Sequence, residues 1–161
     1  MAAAPTITVT ATATAAAATA TGTGAAAFPL PTTGRLPLDC PQLTGSRQTI
    51  VLGQRAFDFD ITCGLDWSSA GGVDVVAVIV YSLRDCLQAC ASYNRNGDLR
   101  SGVSGGGIGT ARERCVAVTF NSDLGESIPL NFGTCWLKNS TASPLPGGPN
   151  TYAGAALVAA R

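Results

Sequence analysis

Short segments of alternating apolar and polar residues run through most of the chain after Arg35. In Ala56–Cys63, apolar residues at 57, 59 and 61 alternate with polar ones, which is the period of a strand with one buried face. Val73–Tyr81 is β-branched and nearly all apolar, which predicts a strand covered on both sides. Further strands are predicted at 49–52, 114–121, 133–139 and 152–158.

The hydrophobic period changes from that of a strand to that of a helix after Tyr81. Ser82 and Asp85 have the spacing of an N-terminal capping pair. Apolar residues then follow on one helical face, and we predict that the helix ends near Ser92. Asn94–Arg112 is polar and Gly-rich, which predicts a long surface loop. The fold class expected from these elements is α+β, with one helix on a mainly antiparallel sheet.

Residues 1–34 differ from the rest of the chain because they are almost wholly Ala, Thr, Pro and Gly and carry no charge. Such a segment has too few large apolar side chains to build a core, so we predict a stalk or disordered leader followed by one domain over 35–161. The leader lacks the basic start and continuous apolar stretch of a signal peptide or a membrane span. We therefore expect no membrane insertion within this chain, and a targeting segment outside the given sequence.

Two features predict glycosylation. Asn139-Ser140-Thr141 is an acceptor sequence for an N-linked glycan, and it lies just past a predicted strand, where a loop should begin. The Thr-rich leader has the composition of an O-glycosylated spacer. Both would suit an extracellular protein.

The charge balance excludes several partners. Ten basic and ten acidic residues give no net charge, so there is no net field to attract nucleic acid or an anionic membrane. The chain has no histidine, which removes the commonest general base and the commonest metal ligand. This absence argues against most hydrolase mechanisms. No feature of the sequence predicts an oligomeric state.

Six cysteines in 161 residues predict a disulfide framework and an oxidising compartment, hence a protein that is extracellular or at the cell surface. Cys86 and Cys90 are four residues apart on the predicted helix, so both sulfurs should face the sheet. On the strand around Cys115, the small residues Ala117 and Thr119 are expected on the side that faces the helix. Spacing alone leaves the connectivity open.

The same alternation predicts a second apolar set on the sheet. Val116, Val118 and Phe120 are expected to point away from the helix, and Trp136 should do so on another strand. Packing beneath a loop is the more ordinary interpretation. If part of the set is exposed, Trp136, Phe120 and Val118 form the candidate contact surface for a sugar or a protein.

Carboxylates supply the remaining candidate chemistry. Asp58 and Asp60 share one strand face at a separation near that of glycosidase carboxylates, although a solvated strand face is the favoured interpretation. Asp66 and Asp74 flank a Gly turn and could hold calcium, but they lack an alternating series of ligands. The segment 105–110 lacks the Lys-Ser/Thr ending of a phosphate loop. We therefore predict no catalytic residue, no metal and no cofactor.

The order of these motifs resembles the PAN/apple domain, particularly the form found in fungal extracellular proteins. The resemblance spans roughly residues 38–158. Its most specific parts are Cys86-x-x-x-Cys90 on the predicted helix and the closing Cys135-Trp136-Leu137-Lys138.

The resemblance implies a helix packed on a curved antiparallel sheet of about five strands, stapled by disulfides. It also implies a noncatalytic extracellular module for recognition or adhesion that binds a protein or a carbohydrate. The alternatives are a secreted enzyme or enzyme-associated domain directed at glycosides, and a structural cell-wall component. The disulfide pairs that the resemblance implies are Cys86 with Cys135, Cys90 with Cys115, and Cys40 with Cys63.

Overall fold

The computed structural model describes residues 29–67, 74–101 and 114–161. A compact unit covers Pro31–Arg161 and therefore begins slightly before the predicted boundary at Arg35. The main chain there already bonds to the domain, since the amide of Leu124 donates to the carbonyl oxygen of Gly34 at 2.9 Å. The predicted stalk falls mostly outside the described residues, and the Gly-rich segment 105–110 lies wholly outside them. No helix in the described part is both long and apolar enough to cross a bilayer.

Ten elements make up the described fold, two of them helices. The strands are β1 Arg47–Leu52, β2 Arg55–Cys63, β3 Asp66–Trp67, β4 Asp74–Val78, β5 Ala117–Asn121, β6 Cys135–Lys138, β7 Pro144–Leu145 and β8 Tyr152–Ala160. The helices are α1 Leu83–Ser101 and α2 Leu124–Asn131.

One large sheet organises these elements. Its six strands lie in the order β1-β2-β8-β5-β6-β4, and every neighbouring pair is antiparallel. β3 and β7 form a separate two-stranded antiparallel sheet. The expected α+β class with a disulfide-stapled antiparallel sheet is confirmed, although the described part contains two helices and not one.

The core lies between α1 and one face of the large sheet. β2 alternates as predicted, because Phe57, Phe59 and Ile61 are all at most 1% exposed and pack in this core. Leu83 and Leu87 of α1 are buried in the same cluster. Burying side chains of this size stabilises the fold by about 1.5–3 kcal/mol each.

α1 begins as predicted but ends later. The Ser82 hydroxyl accepts a hydrogen bond from the Asp85 amide at 3.1 Å and donates one to the Asp85 carboxylate at 2.7 Å, which confirms the capping pair. The helix continues to Ser101, so the loop predicted from Asn94 onward is wrong over this stretch. Tertiary contacts explain the difference, because Asn94 is buried and Asp98 pairs with Arg55 at the start of β2.

Three disulfides hold α1 and the entering chain against the sheet, and they are the pairs that the resemblance implies. Four of the sulfur-bearing residues are fully buried in the core, and only Cys40 and Cys63 are half-buried. Bridges across separations of 23, 49 and 25 residues each stabilise the fold by about 3–4 kcal/mol by restricting the unfolded chain. The bonds join Cys40 to Cys63, Cys86 to Cys135 and Cys90 to Cys115.

β4 and α2 differ from the sequence predictions. In the described part of the chain, β4 is an edge strand that pairs only with β6, and Val76 within it is 37% exposed, so the predicted burial on both sides is wrong. α2 was not predicted, because Pro129 lies inside it and proline normally ends a helix. Its N-cap is Asp123, whose carboxylate accepts a hydrogen bond from the Glu126 amide at 3.2 Å.

The residues of β5 face the opposite way from the prediction. Val118 and Phe120 are fully buried in the core beside α1, whereas Ala117 packs with Trp67 on the other face. The prediction counted the alternation from Cys115, but β5 begins only at Ala117 and the irregular segment before it changes the phase.

The candidate contact surface of Trp136, Phe120 and Val118 is therefore wrong as a single surface. Phe120 and Val118 contribute to the core and have no exposed surface. Trp136 is half-buried, and it alternates along β6 with the buried residues Cys135 and Leu137 of the core. Of the three, Trp136 alone lies on the face opposite α1.

Candidate ligand-binding cleft

A cleft lies on the face of the large sheet opposite α1, bordered by the β3–β7 sheet and by α2. Its larger part has a volume of about 380 Å³ and its smaller part about 160 Å³. Asp66 and Tyr152 line both parts, so the two adjoin. The total volume is in the range of sites that hold small ligands. The larger part is also lined by Gly64, Glu126 and residues 145–149, and the smaller part by Asp74, Thr119, Asn131, Trp136 and Lys138.

Lys138 lines the smaller part with a buried side chain. Its side chain is only 9% exposed, and its Nζ lies 2.7 Å from Oδ1 of Asp74 and 3.5 Å from Oδ1 of Asp66. Lys138 and Asp74 are opposite each other in the pairing of β6 and β4. This register brings the ammonium to the Asp74 carboxylate. A buried ammonium needs such partners because its desolvation would otherwise be costly.

The two carboxylates considered for calcium therefore do come together. Both carboxylates contact the Lys138 ammonium. The positive charge that lies between them is therefore that of a lysine side chain. Within residues 29–67, 74–101 and 114–161, no group of three or more His, Cys, Asp or Glu side chains could hold a metal ion.

Asp66 is fixed from two sides. The Thr119 hydroxyl of β5 donates to its Oδ1 at 2.6 Å, and the amide of Trp67 donates to the same oxygen at 2.7 Å. Thr119 is buried on the cleft face of β5. The carboxylate is therefore held rigidly in place, and a ligand would meet it without first having to order it.

Tyr152 borders both parts of the cleft with a phenol in a negative field. Burial raises the pKa of Tyr152, and the charges of Glu126 and Asp66 raise it further, while a hydrogen bond with Asn121 acts in the opposite direction. The phenol is accordingly neutral at ordinary pH and can donate a hydrogen bond. The fully buried Asn121 also donates from Nδ2 to Oε2 of Glu126 at 3.5 Å.

Two glycines permit the close approach of the chain segments that form the wall. A Cβ on Gly64 would lie 2.6 Å from the carbonyl oxygen of Gly148, and Gly64 has a φ of 67°. A Cβ on Gly154 would lie 2.9 Å from the carbonyl oxygen of Leu65. A side chain at either position would push the wall away from the sheet.

Asp58 and Asp60 do not line the cleft, and each has a partner of its own. Asp58 is only 3% exposed and accepts hydrogen bonds from the Thr49 hydroxyl and the Arg161 guanidinium, both at 2.7 Å, so its predicted solvation is wrong. Asp60 accepts two hydrogen bonds from Arg47, at 2.6 and 2.9 Å. The hydrogen bond with Arg47 lowers the pKa of Asp60.

Sequence analysis missed several lining residues. Tyr152 comes from β8 and both Glu126 and Asn131 come from α2, and no local pattern marks the two elements as neighbours. Lys138 belongs to the closing motif that carries the resemblance, which was the only signal for it. Asn139 is half-buried at a bend directly after β6, and its glycosylation stays a prediction.

No protein-family model, curated protein or solved structure matches this chain. The resemblance to the PAN/apple domain therefore stays a prediction.

Proposed function

We propose that the chain is a noncatalytic extracellular recognition module of the PAN/apple type and that it binds carbohydrate in the cleft opposite α1. The observation that carries the proposal is the lining of one cleft by Trp136 and Tyr152 together with the fixed polar groups of Asp66 and Lys138. Sugars present apolar ring faces and several hydroxyls, so aromatic side chains beside charged hydrogen-bonding groups suit them.

The disulfides support the extracellular part of the proposal. Three bridges and no free cysteine among the described residues are typical of proteins that fold in an oxidising compartment. The rigid attachment of Asp66 supports the binding part, since preorganised groups lose little entropy when a ligand arrives.

Binding of the oxidised full chain to a glycan array, followed by calorimetry on the positive glycans, tests the proposal. Tyr152→Phe removes one cleft hydroxyl and should weaken binding about 2- to 10-fold, the usual effect of one hydrogen bond. Trp136→Ala should weaken it more strongly. The matched control is Tyr93→Phe, because Tyr93 lies on α1 beside the core at the other face of the sheet. Equal effects of the two Tyr→Phe changes would contradict the proposed site.

The enzymatic alternative makes a different prediction. Under the recognition proposal, Asp58→Asn with Asp60→Asn leaves glycan binding unchanged in a correctly folded variant, because neither residue lines the cleft. A hydrolytic activity that is present in the natural chain and absent from this variant would favour the enzyme instead.

A protein ligand is the second candidate. Leu130 and Phe132 at the end of α2 are 69% and 80% exposed, and exposed large apolar side chains favour protein contacts. Phe132 directly follows Asn131 of the cleft lining, so a protein bound there would extend over the rim. Leu130→Ser with Phe132→Ser should then abolish capture of the partner, whereas binding of a short glycan inside the cleft should persist.

A further inference from the structure

The charged groups that line the cleft do not balance. Asp66, Asp74 and Glu126 contribute three carboxylates, whereas Lys138 contributes the single ammonium, which leaves two negative charges in excess. The ammonium is already engaged, because it contacts both Asp74 and Asp66. A ligand in the cleft would therefore meet a negative field.

Glu126 is the carboxylate that remains without a cation. Among the described residues, Glu126 forms no ion pair. One side chain there donates a hydrogen bond to its carboxylate, and this is the neutral amide of Asn121 at 3.5 Å. The nearby Asp123 is paired with Arg35 at 3.2 Å, so the arginine at this end of the cleft is also engaged. Glu126 is exposed in the larger part of the cleft and is free to meet a ligand.

The same negative field acts on the phenol of Tyr152. The charges of Glu126, Asp66 and Asp123 all contribute to the rise in its pKa, after the larger effect of burial. The nearby carboxylates repel a negative phenolate at this position, and they would repel an anionic ligand in the same way. The aromatic faces of Tyr152 and Trp136 would in turn attract a cation.

We propose that the cleft selects a glycan that carries primary ammonium groups, such as an oligomer of de-N-acetylated hexosamine, over neutral and acidic glycans. This inference rests on the proposed carbohydrate-binding function and adds the class of sugar. The ammonium lies at Glu126, and the sugar ring packs on Tyr152. Uronic acids and sulfated sugars are repelled by the excess carboxylates.

Calorimetry with three oligosaccharides of equal length tests the inference: glucosamine, N-acetylglucosamine and glucuronic acid oligomers. The full chain is used in mildly acidic, low-salt buffer, in which the amines of the glucosamine oligomer are protonated and screening by salt is weak. The glucosamine oligomer should bind at least about fivefold more tightly than its N-acetylated counterpart, a modest ratio because Glu126 is exposed to solvent. The glucuronic acid oligomer should show no binding.

Glu126→Gln should abolish the preference for the amine, so that the glucosamine oligomer binds the variant no more tightly than its N-acetylated counterpart. Asp39→Asn is the matched control, since it removes the same charge from an exposed residue that does not line the cleft. Equal binding of the amine and acetylated forms would overturn this inference and leave the proposed function standing. A chain that binds none of the three sugars but binds a lysine-rich peptide at Glu126 would overturn both.

Discussion

The side-chain amide of Asn94 bonds both main-chain groups of Cys115. Its Nδ2 donates to the Cys115 carbonyl oxygen at 2.8 Å, and its Oδ1 accepts from the Cys115 amide at 2.9 Å. Asn94 lies one helical turn after Cys90, whose sulfur is joined to that of Cys115. A disulfide and a pair of hydrogen bonds thus attach the segment before β5 to the same face of α1.

Replacing this amide should destabilise the domain. Asn94→Ala leaves the buried main chain of Cys115 without its partners, and we expect the free energy of unfolding to fall by about 2–4 kcal/mol. Chemical denaturation of the oxidised protein measures the change. Asn96→Ala, at an exposed position on the same helix, should stay within about 0.5 kcal/mol of the natural chain. Similar losses from the two changes would contradict a specific role for Asn94.

Arg161 should contribute to stability through Asp58. Among the described side chains, Arg161→Ala leaves the buried carboxylate with the Thr49 hydroxyl alone as partner, and we expect a loss of about 1–2 kcal/mol. The loss should shrink in an Asp58→Asn background, because the neutral amide no longer needs a cation. A double-mutant cycle by thermal or chemical denaturation measures this coupling. Additive effects would show that the two side chains act independently.

The pair of Arg47 and Asp60 predicts a dependence of stability on pH in acid. Because the pKa of Asp60 is lowered in the folded protein, its contribution is present above the ordinary aspartate value of about 3.9 and is lost as pH falls through the folded value. Arg47→Gln should return the pKa of Asp60 towards the ordinary value. NMR titration of the Asp60 side-chain carboxyl measures the shift, which should shrink in high salt since both residues are exposed to solvent. An unchanged pKa in the variant would contradict the assigned cause.

The three disulfides should differ in their resistance to reduction. Cys40 and Cys63 are half-buried, whereas the other four cysteines are fully buried. We expect a mild reductant to open Cys40–Cys63 first and to leave the sheet and α1 folded. Alkylation followed by mass spectrometry, with circular dichroism on the same samples, measures the order. Earlier labelling of Cys86 or Cys90 would contradict it.

The matching variant gives the energetic part of this prediction. Cys40→Ser with Cys63→Ser should lower the free energy of unfolding by about 3 kcal/mol, since the bridge spans 23 residues. Chemical denaturation measures it. A loss near zero would show that residues 31–45 are held by other contacts, such as the hydrogen bond from the Leu36 amide to the Ser122 carbonyl oxygen at 2.8 Å.

Local patterns predicted the elements that depend on local chemistry. The period-2 alternation placed Phe57, Phe59 and Ile61 in the core, and the Ser82–Asp85 pair marked the start of α1. Both the alternation and the capping pair involve residues that are close in sequence, so a short window of sequence is enough to predict them.

The errors come from interactions between residues distant in the chain. Asp58 has the polar side chain of a solvated strand face, yet Arg161 covers it from the end of the neighbouring strand β8. The polar end of α1 is helical because Asn94 and Asp98 find partners on other segments. The cleft was not predicted either, since its lining combines β3 to β8 and α2, and no window of sequence contains them together.

β5 separates the core from the cleft with alternate side chains. Val118 and Phe120 complete the dry interior beside α1, while Thr119 fixes the Asp66 carboxylate on the cleft face. A change of one residue in the register of this strand would exchange the two sets, placing a hydroxyl in the interior and a phenyl ring on the floor of the site. If the cleft binds a ligand as proposed, a change in the register of β5 cannot alter specificity without a cost to folding, and variation in specificity should concentrate in the rim residues 145–149.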